Sequence, residues 1–351
     1  MKQPERPAPQ RAAPRAIPVS TPTAGPFADR PAVWLDWKDL TGEDIDAIPR
    51  ERAVVLVTVS PLEVHGPHLP VVCDNLEAEA LSHRSAEKLK ALHPEIIFLH
   101  LPPIYVAADV LPHVGSLAFR PSTIERVLED LGRSLCKQGF RRIWVSSFHG
   151  GPRHFVPIEI ACDRVNRRYG GAMISVFGLL LNRLTGGSTS LDGVLGHVPG
   201  VVAADLAGDA HGGAVETSIL LHLAPDRVKA CWRDLPQRTV GIQLAERGIG
   251  PLEEPGRRPS LAGMISGFRH KIKYFHDETY AGNPAVADPA HGAAFVDILA
   301  DHTAVALDEV LRRQRPLRAC HSPLFRIRWL FSSELVGKVF ERAVGYQSRV
   351  F

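Results

Sequence analysis

Residues 53–60 read AVVLVTVS, and residues 60–75 continue as SPLEVHGPHLPVVCDN. The first stretch is an unbroken run of mostly β-branched apolar residues with no polar alternation. Such a run marks a strand buried on both faces, the situation of a parallel sheet covered by helices. The second stretch puts Glu63 and His65 two residues apart just beyond that strand. An extended backbone turns residues at that spacing to the same side.

The same signature recurs downstream. EIIFLHL (95–101), RRIWVSSF (141–148) and AMISVF (172–177) are further apolar runs. Helical patterns separate them. DNLEAEALSHRSAEKLKAL (74–92) has helical periodicity, PSTIERVLEDLGRSLCKQG (121–139) opens on Pro121 and Ser122 and stops at Gly139, and residues 153–169 continue the alternation. Strand followed by helix, repeated, predicts a three-layer α/β/α fold with a mostly parallel central sheet. Before the first strand, WKDLTGEDIDAI reads as a short helix capped by Thr41 with Asp44. Residues 287–313 form a long helix, whereas 178–206 read as loop and 229–288 carry no strong period.

The chain has 351 residues, enough for one large domain with appendages. Its formal charge of +3 is small for that length, so nothing global directs it to nucleic acid. Five cysteines (Cys73, Cys136, Cys162, Cys231 and Cys320) show no paired spacing, which argues against a disulfide framework and for a reducing, cytoplasmic setting. No apolar run is long enough to span a membrane. Residues 1–32, rich in Pro, Ala and Arg, lack the apolar centre of a secretory signal and read as a disordered leader, with an organelle-targeting role as the alternative. Residues 33–314 form the main domain. Residues 315–351, where Arg is interleaved with Phe, Trp and Leu, form a basic amphipathic extension. That extension fits either a helix at an anionic lipid surface or one packed on the main domain or a neighbouring subunit.

Three strand-to-helix junctions concentrate acids and histidines. After the first strand come Glu63 and His65, with Asp74 at the start of the next helix. Residues 146–154, SSFHGGPRH, put His149 at a strand end, where Gly150 and Gly151 let the backbone turn around a ligand. Residues 208–225, GDAHGGAVETSILLHLAP, set Asp209 and His211 two apart, with Glu216 in the first turn of a helix. Taken singly, a histidine beside glycines is an ordinary loop residue and Glu63 an ordinary salt-bridged acid. Taken together, at the strand ends where parallel sheets bind ligands, they form a donor set for zinc, manganese or iron. Unpartnered buried carboxylates are costly, and a metal partners several at once.

These segments resemble the creatininase family of amidohydrolases. Its first motif, Glu-x-His-Gly-x-His-Leu-Pro followed by Asp, is similar to Glu63-Val64-His65-Gly66-Pro67-His68-Leu69-Pro70 and Asp74. Its second, Asn-Gly-His-Gly-Gly-Asn, looks like Ser147-Phe148-His149-Gly150-Gly151-Pro152, with both Asn residues replaced. Its third, Asp-x-His-Ala-Gly-x-x-Glu-Thr-Ser, is similar to residues 209–218, and Tyr280-Ala281-Gly282-Asn283-Pro284 echoes a late Gly-x-Pro segment. The resemblance covers about residues 34–313. It implies two divalent metal ions (Zn, Mn or Fe), one held by Glu63 and His149, the other by His65, with Asp74 bridging. Creatininase has a Glu two positions after the second-motif histidine, where this chain has Gly151, which weighs against creatinine as substrate. Glu216 is then the candidate for the missing carboxylate on the second metal.

The activity expected is hydrolysis of a carbon–nitrogen bond other than a peptide bond, in a small or cyclic amide, by a metal-activated hydroxide. His211 and Glu216 are the catalytic candidates. His211 reads equally as the general acid for the leaving nitrogen or as a histidine orienting Glu216 or Asp209. Asp209 and His211 are also the candidates for contacting substrate. His68 serves the turn or supports the site, and Arg153 and His154 either face an anionic substrate group or begin a solvated helix. Two other readings stand beside this one: a deformylase or peptidase of the same family, acting on a formamide or modified peptide, and a catalytically silent, metal-stabilised binding protein. By resemblance the chain forms a closed homo-oligomer, of the hexamer kind.

Overall fold

The computed structural model describes residues 34–184, 192–250, 261–344 and 350. Residues 1–32 lie outside that range, as do parts of the expected loops and of the C-terminal extension. Among the described residues, five strands form one parallel sheet: β1 (Trp34–Asp36), β2 (Ala53–Thr58), β3 (Ile97–His100), β4 (Arg142–Ser146) and β5 (Ala172–Ser175), in the order β1-β3-β2-β4-β5. The helices are α1 (Gly42–Asp46), α2 (Cys73–Leu92), α3 (Pro121–Lys137), α4 (Pro152–Tyr169), α5 (Val176–Leu184), α6 (Asp192–Leu195), α7 (Ala214–Leu223), α8 (Val240–Glu246), α9 (Leu261–Asp277), α10 (Pro289–Leu311), α11 (Trp329–Ser332) and α12 (Glu334–Val344).

The unbroken apolar run of β2 is explained by its place. It is the central strand, pairing Val55 with Leu99 of β3 on one side and with Ile143 of β4 on the other. Its odd residues, Val55 and Val57, join Leu99, Ile143, Val145 and Met173 beneath α3 and α4, where Ile124, Leu128, Ile158 and Val165 cover them. Its even residues, Val54 and Leu56, join Phe98, Trp144 and Ile174 beneath α2, α5 and α10, against Leu89, Leu179 and Leu307. Each such side chain contributes about 1.5–3 kcal/mol by leaving water. The expected three-layer α/β/α fold is what the chain adopts.

The chain runs from β2 through α2 to β3 on one side, then through α3 to β4 on the other side of β2. That reversal opens a crevice at the carboxyl ends of β2 and β4, where α/β sheets bind their ligands. Glu63 and His65 follow the end of β2 and His149 follows the end of β4, with Asp74 in the first turn of α2.

Four sequence expectations need correction. The strand expected over 172–177 ends at Ser175, and Val176 starts α5, which occupies the beginning of the expected 178–206 loop. Val176, Phe177, Leu179, Leu180 and Leu181 are all buried, and a run apolar on every side has no period to separate strand from buried helix. The stretch 229–288, expected to be irregular, contains α8 and α9. The short helix expected over 37–48 is two pieces, a 3-10 turn at Trp37–Asp39 and α1, whose capping box of Thr41 and Asp44 is as expected. Finally, β1 was not expected; it is three residues long and adds to the edge at β3. The described part of the C-terminal extension packs on the main domain, Leu324, Phe325 and Phe331 lying against Phe155, Val156 and Ile160 of α4 and Phe177 and Leu181 of α5.

Candidate metal centre

The loop after β2 is folded back on itself, with Glu63 N–H donating to the Val71 carbonyl at 2.8 Å. Asn75 ties it to the start of α2 by donating from Nδ2 to the Pro61 carbonyl at 2.6 Å. These two bonds bring Glu63, His65 and Asp74 together, all buried. The His65 ring donates from Nδ1 to the Glu63 carbonyl at 3.0 Å, which turns Nε2 toward the site. That Nε2 lies 3.5 Å from Asp74 Oδ1 and 3.7 Å from Glu216 Oε2.

His149 arrives from the end of β4. Its Nδ1 is 3.0 Å from Glu63 Oε2 and 4.0 Å from Asp74 Oδ2. The second oxygen of Glu63, Oε1, is occupied by the Leu111 N–H at 2.5 Å. Asp74 thus turns one carboxylate oxygen to His65 and the other to His149. The donors of Glu63, Asp74 and His149 lie within 4.8 Å of one another, and so do those of Glu63, His65 and His211.

The third junction closes the site from the opposite side. His211 pairs with Ala281 as an isolated antiparallel bridge, and Gly66 N–H donates to the Thr279 carbonyl at 2.7 Å. One late segment therefore clamps both the first and the third motif. Gly212 makes the close approach possible: its φ is +58°, and a Cβ there would stand 3.2 Å from the His65 carbonyl carbon. Glu216, in the first turn of α7, accepts from Gly212 N–H. The His211 ring stacks on His65 with centroids 4.0 Å apart and donates from Nε2 to the Val64 carbonyl at 2.7 Å. Its Nδ1 is consequently the unprotonated nitrogen.

Two candidates sit elsewhere than expected. The Asp209 carboxylate accepts from Ala214 and Val215 N–H and so caps α7; orienting His211 falls to the Val64 carbonyl. Its assignment to substrate is not favoured, because the open N–H groups of a helix start are a strong partner for a carboxylate. His154 is fully buried and does not begin a solvated helix. It bonds Ser147 Oγ at 3.0 Å, the same oxygen accepts from His149 N–H at 3.3 Å, and the His154 ring packs edge-on to His149. Ser147, in place of an amide side chain, is thus the hub of a polar network behind His149. His68, also buried, bonds Thr217 Oγ1 at 2.8 Å and supports the site from below.

Sequence reasoning missed Asp109 and Glu77. Asp109 has a left-handed backbone (φ 66°) and accepts from Arg153 N–H, beside the space a Cβ on Gly151 would fill. Glu77 follows Asp74 by one helical turn, a spacing that puts both on one face of α2.

The donor chemistry fits divalent cations. Glu63 Oε2, His65 Nε2 and Asp74 Oδ2 are buried and have no hydrogen-bond partner among the described residues. Orphaned buried polar atoms are costly, and a cation satisfies several of them together. Electrostatics agree. Burial opposes charge on Glu63, yet the His149, His211 and His65 rings outweigh it and hold the carboxyl down at about 2. Burial likewise opposes charge on His149, and Glu63, Asp74 and Asp109 outweigh it, raising the ring to about 9. His65 is raised well above its usual value against burial by Asp74, Glu216 and Glu63. For His211, burial and neighbouring His65 dominate, and its ring is pushed down.

The profile of the creatininase family, described as creatinine amidohydrolase, matches residues 38–307. A curated relative, the mycofactocin precursor peptide peptidase of Mycolicibacterium smegmatis, is 27% identical over 210 residues, covering 58% of this chain and 72% of the relative. Among solved structures, a creatinine amidohydrolase (creatininase) superposes with a TM-score of 0.52 at 18% identity, covering 79% of this chain and 97% of the other. A manganese creatininase gives 0.52 at 18%, covering 81% and 99%. A variant creatininase of Zn-Zn type gives 0.52 at 17%, covering 79% and 98%. Among the described residues, no helix is long and apolar enough to cross a membrane.

Proposed function

Since the chain belongs to the creatininase family, we propose that it is a two-metal amidohydrolase that cleaves a carbon–nitrogen bond of an amide. Glu63, Asp74 and His149 would hold one divalent cation, and His65, Asp74 and Glu216 the other. The observation that carries this reading is the carboxylate of Asp74, whose two oxygens face His65 at 3.5 Å and His149 at 4.0 Å. Such a pair of cations supplies a water acidic enough to react as hydroxide near neutral pH and polarises the carbonyl under attack.

The remaining chemistry belongs to the side chains. His211 is neutral at rest, because burial and His65 depress it, and its bare nitrogen is Nδ1. That nitrogen can take a proton from the attacking water and return it to the leaving nitrogen, serving as base and then as acid. The Val64 carbonyl fixes the tautomer and the ring plane, as a backbone acceptor does for catalytic histidines. Glu216 lies on the same side, held by Gly212 N–H. Asp209 supports α7 and through it Glu216.

Zinc, manganese and iron all suit such a mixed imidazole and carboxylate set. The substrate is a small or cyclic amide in the first reading. A peptidase reading is favoured by one finding, the sequence similarity to a peptide peptidase at 27% identity. Membership in a closed homo-oligomer is carried over from the family resemblance, and sedimentation of the purified protein measures it.

Metal analysis of the purified chain, alongside Glu63→Gln and His149→Ala, tests the proposal. We expect about two cations per chain in the parent and a clear loss in both variants, with hydrolysis of an amide panel lost in parallel. Unchanged metal content in both variants would overturn the site. Metal without turnover on cyclic amides, formamides and short peptides would favour the silent binding protein. Turnover confined to peptides would select the peptidase.

A further inference from the structure

Glu77 is 1% exposed, and neither oxygen of its carboxylate has a hydrogen-bond partner among the described residues. The other buried acids of the helical layers are provided for. Glu159 accepts from Ser322 N–H and Oγ, and Glu125 is paired with Arg164 at 2.6 Å. The groups acting on Glu77 are instead the carboxylates of Glu216 and Asp74 and the His65 ring, with the weakly donating Cys73 thiol beside it. Carboxylate oxygens of Asp74, Glu77 and Glu216 lie within 4.8 Å of one another. Three acids converge on one spot, Asp74 and Glu77 buried and Glu216 half-buried, and they repel each other strongly unless a cation lies between them.

We propose that Glu77 is a further ligand of the cation held by His65, Asp74 and Glu216. The inference rests on the two-metal reading above and adds a residue to it. It makes the centre asymmetric. The position at Glu63, Asp74 and His149 offers two carboxylates and one imidazole, whereas the position at His65 offers three carboxylates and one imidazole. An oxygen-rich shell favours the harder cation, so the His65 position is the manganese-preferring one of the two. Asp109, the other acid near the site, is not the donor, because it is exposed and engaged by Arg153 N–H. Cys73 is the nearest rival, its sulfur lying within 4.8 Å of donors of His65 and Glu216.

Glu77→Gln keeps the shape and removes the charge. The protein is stripped with a chelator, reloaded with Mn²⁺ alone, and its two dissociation constants are measured by competition with a chromophoric chelator. The parent should bind two Mn²⁺ ions. Glu77→Gln should keep one, with the second weakened about 100-fold or more, and the spin-coupled manganese resonance signal should become that of isolated ions. Cys73→Ala should bind as the parent does. Thermal melting gives a second readout: in chelator Glu77→Gln should melt above the parent, and with Mn²⁺ below it. Should Glu77→Gln fail to fold, Glu77→Asp, which keeps the charge but withdraws it by one methylene, is expected to lose the same cation.

Both cations bound with parental affinity in a folded Glu77 variant would overturn the proposal while leaving the two-metal reading intact. So would a melting shift that is the same with and without Mn²⁺, or loss of the second cation in Cys73→Ala and not in Glu77→Gln. A parent that takes up no cation would overturn both.

Discussion

The two halves of the proposed centre are built differently. Glu63 and His149 hang from the ends of adjacent strands β2 and β4, whose backbones are already locked in register from Val54 with Arg142 to Thr58 with Ser146. The sheet sets where the two strand ends lie, and the folded-back loop then carries Glu63 to His149. His65 and Glu216 are instead brought together by contacts far apart in sequence: Gly66 with Thr279, His211 with Ala281, and the backbone approach that Gly212 allows. One half is a property of the fold; the other is a property of loop and helix packing. Parallel sheets offer the first kind of site without further arrangement, and the second kind has to be assembled around it.

Asp74 belongs to both halves, so removing it should have the largest effect. Asp74→Ala is expected to release both cations, while His149→Ala releases chiefly its own. Hydrolysis should fall by about 10³-fold or more, since several kcal/mol of transition-state stabilisation goes with the metals. Metal content by mass spectrometry and turnover on a responsive amide check this. Retention of one tightly bound cation in Asp74→Ala would show that the carboxylate does not span the halves.

A pH experiment is expected to show a smaller effect, and it compares the halves directly. In chelated protein the rings of His149 and His65 carry protons where cations would lie. His149 is raised from 6.5 to about 9, and His65 is raised in the same direction. A ring whose folded value exceeds its unfolded value stabilises fully below the unfolded value, and that contribution disappears as pH rises through the folded one. The chelated protein should therefore lose stability between pH 6.5 and about 9, melting about 3 °C or more lower at the alkaline end. The metal-loaded protein should change little across the same window. Affinity for cations should rise with pH, about tenfold per unit for each proton displaced. A loaded and a chelated protein with the same pH profile would contradict the placement of the cations on these rings.

How much of this was legible in the sequence follows from the same division. The central strands were readable because a strand covered on both faces is apolar without interruption, and β2, β3 and β4 are such strands. Glu63, His65 and His149 were readable because each follows such a run, and Asp74 because it opens the helix after the first one. Glu216 needed the family resemblance, since nothing local says that α7 faces β2. Glu77 was hidden by α2 itself. That helix is covered by the sheet on one side and by α7 and α10 on the others, so Asn75, Glu77, Ser82, His83 and Ser85 are buried where a solvated face would be read. Asp209 looked like a site residue because acids at strand ends often are. Its actual partners, the first N–H groups of α7, become visible only once the helix start is placed.

The support beneath the assembled half should respond least, and in a way that separates stability from metal binding. His68 is buried, and burial together with His65 and His211 pushes its ring down to about 4, so it is neutral at ordinary pH. Its one side-chain hydrogen bond among the described residues is to Thr217 Oγ1 at 2.8 Å, and Thr217 is fully buried as well. Thr217→Val preserves shape but strands the imidazole nitrogen, which should cost about 1–3 kcal/mol. Because neither residue donates to the proposed cations, both should still bind, and turnover should stay within about threefold of the parent, the change expected from less than 1 kcal/mol at the transition state. Chemical denaturation measures the first quantity and metal titration the second. If Thr217→Val loses the His65-side cation while the His149-side cation stays, the assembled half depends on its packing even more closely than the contacts of Gly66 and His211 imply, and His68 would have to be counted among the groups that position His65.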